Sequence, residues 1–537
     1  MLGLFLRVWN IQRHGFSHYD EAHYMMEAKF WRSVFDNSGD LCAALRAGKL
    51  NAAFVESHID GLPPSFTPKP FHSLFIALFS MATGISDEWS GCLWAALTGT
   101  LTFVLVGLWT ARHFGDTAGV LASLLLAVTR SHVMYSRSQL AEADAILFFL
   151  IAAFMHADRV LKKHGDSTGG VADSPWPAIS VGALYGVAIG VNYRCLLVIP
   201  LVWMWDVGVS REGAGALVAG WPKNAFKRLA WMAAGILAVA CLIELPYRIY
   251  IWRGGTLPAG MMTYFQGFWA RCFQDLPMGE KKVSSFIKPH LGILRDYLFL
   301  DGYRWLFGIA LGLWALTRIK SPALTLVTIL ALAPIAVFSL VTRGDGPRAV
   351  STSIPFFSVM AAVGLAELMR ANESKSSVAM TIASSACALL IAALLLEAGL
   401  QSVCATELQA RSAWPKVGRW LTEQPRELVR TTYPLAARYY LRKDLAALPP
   451  QGDTAAPAPG LWVIDRYNAE YAYPYPVVKT VISSYKPVLV FEGDVYPKTG
   501  LFLDWGVFMR SADWRGELKR EHMGQIEIYR IDGGPGR

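Results

Sequence analysis

The chain has 537 residues, 53% of them hydrophobic, 12% aromatic and only 17% charged, with a formal net charge of +9 and a mean hydropathy of +0.33. Soluble domains carry about 25% charged residues, so a water-soluble enzyme is excluded, and a disordered chain is excluded by the same apolar content. Apolar runs recur from the N-terminus to about residue 402, which rules out a secreted protein with a single signal, and the basic pI near 9.1 comes without the basic stripe that nucleic-acid binding needs.

In chain order, residues 2–9 are apolar but too short to cross a bilayer, which takes about 20 residues. Arg7 interrupts them. They read as the last turns of a first span whose beginning is missing, and they lack the long apolar region and cleavage site of a signal peptide. A helix is expected through Met25 to Trp31, with Asp20 as a favoured capping residue. Residues 71–84 suit an interfacial or re-entrant helix. Spans are expected near 90–112, 116–136, 143–160, 229–250, 322–342, 350–370 and 377–402, with a further one over 303–316. Residues 178–207 fit a hairpin of two short spans turning at Asn192-Tyr193-Arg194. The expected fold class is therefore mainly α, a polytopic membrane helix bundle of about eleven spans counting the truncated first.

Loop cations set the sidedness. With 71–84 non-crossing, Arg112-His113, Arg159 with Lys162-Lys163, Lys223 with Lys227-Arg228, Arg318 with Lys320, and Arg370 with Lys375 all fall on the cytoplasmic side. The outer loop 10–89, the turns near Ser136 and Arg194, residues 251–300, the Arg343 to Arg348 stretch and the tail after 403 fall on the other. Phe265, Phe268 and Trp269 read as an interfacial helix. The tail has β-like runs at 461–465, 488–492 and 526–531, helical pieces at 413–423 and 435–443, and a Pro/Ala/Gly-rich linker at 448–460. Two units are thus expected: a catalytic membrane domain over 1–403 and a small outer α/β domain over 404–537. No internal repeat is evident. The seven cysteines form no CxxC and lie mostly in apolar runs, as buried free thiols would.

The outward segments carry ionisable groups beside membrane helices, where each must be hydrated or paired, so they are functional candidates. They are His18-Tyr19-Asp20-Glu21-Ala22-His23-Tyr24, Thr67-Pro68-Lys69-Pro70, Tyr135-Ser136-Arg137 followed by Glu142 and Asp144, and Arg343 to Arg348. Transfer of a sugar from a lipid phosphate to a hydroxyl needs a carboxylate for the acceptor proton. It also needs cations for the departing phosphate. Asp20 offers the first; Lys69, Arg137 and Arg348 offer the second, arginine with a fork that grips phosphate at two points.

The ordered set Tyr19-Asp20-Glu21-Ala22, Lys69-Pro70, Ser136-Arg137 with an acid five residues on, the stretch GVAIGVNYRCLLVIP over 186–200, and Pro347-Arg348 leading to Ile354-Pro355-Phe356 resembles the GT-C superfamily of polyprenyl-phosphate-dependent glycosyltransferases. It is similar in particular to bacterial relatives of protein O-mannosyltransferases and lipid A aminoarabinose transferases, over about residues 2–370. The resemblance implies a catalytic pair in Asp20, the base, and Glu21, shaping the same loop. It implies a substrate-binding set of Lys69, Arg137, Glu142, Asp144, Arg194 and Arg348. The family's usual Asp after the arginine is Glu142 here, with Asp144 two residues on. If one helix ran through, Arg137 and Asp144 would share a face; a helix starting at Glu142 removes that argument.

Simpler roles exist for each. Asp20 could only cap its helix, and Glu21 points away from it as a neighbour must. Lys69 could snorkel to the headgroups. Arg137 could anchor at the interface, Arg343 and Arg348 could bind lipid headgroups, and Glu142 and Asp144 could pair locally. His18 and His23 match no metal-ligand spacing, so no metal site is assigned; no cofactor is firmly implied, and a divalent ion at the lipid phosphate is left open. The function expected is an inverting glycosyltransferase in a bacterial inner membrane, its active site facing the periplasm. Its partners would be a polyprenyl-phosphate-linked sugar donor, an acceptor lipid, glycan or protein, and the bilayer, with no nucleic acid. The alternatives are a secondary transporter or lipid-sugar flippase, disfavoured by charges at one face and the lack of repeated halves, and a non-catalytic assembly subunit presenting its tail.

Overall fold

A computed structural model describes residues 1–16, 19–62, 69–165, 174–212, 223–252, 262–269, 305–341, 348, 350–373, 378–407, 412–425, 427–441, 446–447, 449, 457–471, 475–493 and 524–531. His18, Thr67, Pro68, Arg343 and most of the 448–460 linker lie outside these. The N-terminal part holds α1 (Leu2–Val8), α2 (Tyr19–Asp36), α3 (Ser38–Arg46), α4 (Ala52–His58) and α5 (Pro70–Thr83). Pro70 supplies the preset first helical residue of α5, and Gly84 ends it at φ +73°, a conformation glycine adopts without strain.

The bundle follows as α6 (Trp89–Phe114), α7 (Asp116–Val128), α8 (Arg130–Tyr135), α9 (Glu142–Gly165), α10 (Trp176–Val191), α11 (Cys195–Glu212) and α12 (Lys223–Trp252). After the short α13 (Tyr264–Trp269) come α14 (Trp305–Arg318), α15 (Pro322–Val341), α16 (Ile354–Glu373) and α17 (Val378–Glu407). Helices thus stand where the apolar runs predict them, including the turn at Asn192, whose side chain accepts from the Arg194 amide at 3.2 Å. Among the described residues four segments are long and apolar enough to cross a membrane: Trp89–Phe114, Lys223–Ile249, Ser351–Ala371 and Thr381–Gln401.

The 116–136 segment differs from the expected single span. It breaks at Thr129, whose backbone is extended. The break is affordable because side chains serve the carbonyls it releases: Thr129 Oγ1 donates to Leu125 O at 2.7 Å and Arg7 to Ala127 O at 3.0 Å. The described cysteines are free, but Cys42, Cys241 and Cys387 are exposed, so only Cys92 and Cys195 are the buried thiols expected.

Gly182, Gly186 and Gly190 recur every fourth residue on α10; the first two let it lie directly on α12, and the third makes room for Phe71 of α5. A Cβ at Gly182 would collide with the Met232 carbonyl, and one at Gly235 with that of Ile179. Small residues at such spacing are how helices approach closely without a hydrophobic drive between them. At the basic end of the bundle Asp158 pairs with Arg112 and His113, both at 2.8 Å, while Asp206 joins His156 at 2.9 Å and Arg228, tying α9, α11 and α12. The rim presents exposed Leu237, Leu242, Leu389 and Leu390, a surface suited to lipid.

Beyond α17 lies a five-stranded sheet of β1 (Val429–Thr431), β2 (Ala446–Ala447), β3 (Gly460–Asp465), β4 (Leu489–Phe491) and β5 (Ile526–Ile531), in the order β2-β1-β3-β5-β4. The first three strands are parallel, and β5 runs antiparallel to β3 and β4. Helices α18 (Trp414–Glu423) and α19 (Pro434–Tyr440) accompany it. Their apolar faces share one core with Phe16, Ala22, Met25 and Ala28 around α2 and Ile76 and Ala77 of α5. Gly182→Ala should lower the thermal midpoint of the purified protein by forcing α10 off α12, an overpacking cost of about 1–3 kcal/mol; an unchanged midpoint would mean the helices are not held so closely.

Candidate active site

Helix α2 enters the site with two acids on its first turn, and they part at once. Glu21, fully buried, accepts from His14 Nε2 at 3.1 Å and from the Gln139 backbone amide at 3.3 Å, so it ties the start of α2 to the chain before it and to the segment before α9. Asp20 faces the other way and accepts from Arg348 at 3.1 Å. Arg348, in the segment before α16, also donates through Nε to Glu142 at 3.1 Å. Glu142 opens α9, and Arg194 from the α10–α11 turn stands 3.6 Å from it. One guanidinium therefore bridges two carboxylates that come from positions 20 and 142.

Lys69, at the mouth of α5, completes the cluster. Its ammonium donates to Tyr24 Oη at 2.6 Å. Burial lowers it from the ordinary lysine value to about 8, with Glu142 and Asp20 pulling upward and Arg194 and Arg348 downward. Within the cluster three cations (Lys69, Arg194, Arg348) face two carboxylates (Asp20, Glu142), an excess of one positive charge. Such groups are tolerated in a buried place only when paired or when a ligand completes the pairing.

Asp144 stands beside this cluster. Its Oδ2 lies 2.8 Å from His72 Nδ1 and accepts from Trp94 Nε1 at 3.3 Å, while His72 Nε2 reaches Gln139 O at 2.7 Å. A carbonyl can only accept, so the ring donates there, and one proton is held between Nδ1 and Asp144. The Tyr24 ring meets His72 edge-on at 4.8 Å. Because α9 begins at Glu142, no continuous helix carries Arg137 and Asp144 on one face, and Glu142 is the acid that meets the arginines. Glu142 Oε2 and Asp144 Oδ1 are buried with no hydrogen-bond partner among the described residues.

Arg137 is bonded elsewhere. It donates to Leu6 O and Arg7 O at 3.0 Å and to Trp9 O at 2.6 Å, serving the carbonyls at the end of α1, which no helical amide can reach. The ion pairs of the cluster run through Arg348 in place of Arg137. Tyr24 and His72 belong to the site and were missed from the sequence. Their signals were present: Tyr24 is one helical turn from Asp20, and His72 is three residues from Lys69 inside an apolar run. Among the described residues no three of His, Cys, Asp and Glu converge as metal ligands.

Residues 66–211 match the family profile of dolichyl-phosphate-mannose-protein mannosyltransferases. The fold is shared with ArnT from Cupriavidus metallidurans bound to undecaprenyl phosphate, at a TM-score of 0.53 and 15% identity over 92% of this chain and 95% of that one. The same protein in the apo state aligns at 0.55 and 15% identity over 88% and 93%. AglB, the archaeal oligosaccharyltransferase from Archaeoglobus fulgidus in complex with an inhibitory peptide and a dolichol-phosphate, aligns at 0.57 and 13% identity over 89% and 69%. A comparison with curated protein sequences finds no match. The chain thus has the GT-C membrane fold, and the family match and that fold together indicate a glycosyltransferase.

Arg137→Gln should lower the thermal midpoint while leaving lipid-phosphate affinity largely intact, since unsatisfied buried carbonyls cost about 1–3 kcal/mol each. Weaker lipid binding at unchanged stability would instead return Arg137 to the phosphate.

Proposed function

We propose that the chain is an inverting glycosyltransferase that moves a sugar from a polyprenyl phosphate to an acceptor hydroxyl. Its membrane bundle, residues 1–403, would hold the chemistry, and residues 404–537 would form a small domain on the same outer, periplasmic face of a bacterial inner membrane. The observation that carries the reading is the bridge of Arg348 between Asp20 and Glu142, flanked by Arg194 and Lys69. The sidedness is supported by Asp158, Arg112, His113 and Arg370 gathering at the opposite end of the bundle. Lipid phosphates accompany both structural relatives.

The charges suit each stage of a single displacement. A phosphodiester donor carries one negative charge, which matches the cluster's excess of one positive charge. A phosphate oxygen drawn to Arg348 loosens that arginine's hold on Asp20. The acceptor oxygen then attacks the anomeric carbon from the face opposite the phosphate, its proton passes to Asp20, and the electron pair of the breaking carbon–oxygen bond stays on phosphate. Asp20 becomes neutral as the leaving phosphate gains its second negative charge, so the site stays balanced throughout. Positioned cations of this kind stabilise charge where it develops. Glu142 Oε2 and Asp144 Oδ1 are acceptors that the sugar's hydroxyls can satisfy.

Asp20→Asn should reduce transfer of labelled sugar by about 10²–10⁴-fold, the worth of a positioned base, with lipid-phosphate binding retained; full activity would remove Asp20 from the mechanism. Lys69 holds phosphate only while protonated, so kcat/KM for the donor should fall as pH rises through about 8. Lys69→Arg stays charged above that range and should shift this limb upward. A limb that stays in place would assign it to another group.

A further inference from the structure

On the side of α2 away from Asp20 lies a cleft of about 390 Å³, enclosed by α2, α5, the connection before α6 and α19 of the tail. Small-molecule sites commonly span about 300–1,000 Å³. The two faces of α2 are distinct: Asp20 and Tyr24 turn toward the charge cluster, while Met25, Lys29 and Arg32 line the cleft.

Its lining is mixed in a particular way. Tyr439 forms one wall, held by its hydroxyl donating to Ser86 O at 2.9 Å and by an edge-on contact with Phe16 at 5.2 Å. Lys29 is fixed between Asp60, at 2.8 Å, and the Tyr439 carbonyl, at 3.3 Å. Arg32 donates to Ser80 Oγ at 3.1 Å. Ser90 lines the cleft too, and it is only 1% exposed with a hydroxyl that has no hydrogen-bond partner among the described residues. Four carboxyl groups, Glu88 among them, line the cleft against two cations.

We propose that this cleft binds an uncharged saccharide segment, the non-reacting part of a glycan acceptor. A pyranose offers a C–H face to an aromatic wall and a ring of hydroxyls that both donate and accept, which suits Tyr439 together with Ser90 and the carboxylates. A purely apolar ligand would leave the Ser90 hydroxyl unsatisfied. An anionic one would meet the majority of carboxyl groups. From Asp20 to Arg32 the helix rises about 18 Å, so an acceptor reaching both the base and the cleft is an extended glycan. The word acceptor rests on the transferase reading above; saccharide binding does not.

The test is calorimetric titration of the full chain in lipid nanodiscs, without sugar detergents and without donor lipid. The probes are cellotetraose, mannotetraose and chitotetraose, with tetragalacturonate as the acidic counterpart. At least one neutral tetrasaccharide should bind saturably and the acidic one should not. Tyr439→Ala should lose about tenfold, and Ser90→Ala, which removes a hydroxyl with no hydrogen-bond partner among the described residues, about threefold. Absence of binding by every neutral probe, preference for tetragalacturonate, or affinity untouched in both Tyr439→Ala and Ser90→Ala would overturn the assignment. Should Tyr439→Ala fail to fold, Ser90→Ala decides, and an affinity untouched in it overturns the assignment. Because no donor is present, a failed titration says nothing about transfer, and inactive transfer says nothing about the cleft.

Discussion

Arg348 is shared by Asp20 and Glu142, and the architecture around the charge cluster follows from that sharing. Two carboxylates brought together away from water repel each other and are costly to desolvate. A single planar guanidinium with several donors can serve both. To do so it must approach from a third element, so α2, α9 and the segment before α16 have to meet at one point. Arg194 and Lys69 then come in from two further elements and leave the cluster with a surplus of positive charge.

The same convergence explains why α2 has two lives. One face carries Asp20 and Tyr24 toward the ion cluster; the opposite face contributes Met25 and Ala28 to the core shared with the tail. The C-terminal sheet and its helices are therefore seated on the helix that supplies the proposed base. Glu21 locks the start of that helix through His14 and Gln139, and Arg137 secures the end of α1. These buried polar residues hold neighbouring segments in place through hydrogen bonds to side chains and to backbone groups.

What could be read from the chain beforehand divides along physical lines. The α10–α11 hairpin and its turn at Asn192 were legible because apolar runs and a turn-forming residue are local signals. The three strands of the tail expected at 461–465, 488–492 and 526–531 were legible for the same reason. The break at Thr129 was not, since it depends on Arg7, a residue 122 positions earlier, donating to a carbonyl it releases. Arg137 and Arg348 look alike in sequence, each a cation beside a helix end. Only their partners separate a cap on backbone carbonyls from a bridge between carboxylates. His72 was hidden for a related reason: an isolated histidine in an apolar helix is silent until Asp144 arrives from another helix.

The sequence by itself determined the solvent this protein folds in, the places of most of its long apolar helices and of three tail strands, and the supply of ionisable groups beside those helices. Hydropathy and charge are properties of residues, and they survive being read one stretch at a time. Which acid meets the arginines, which arginine is spent on structure, and where the tail rests were decided only in three dimensions. Those are matters of distance between groups far apart along the chain, and Coulomb and hydrogen-bond energies depend on that distance steeply.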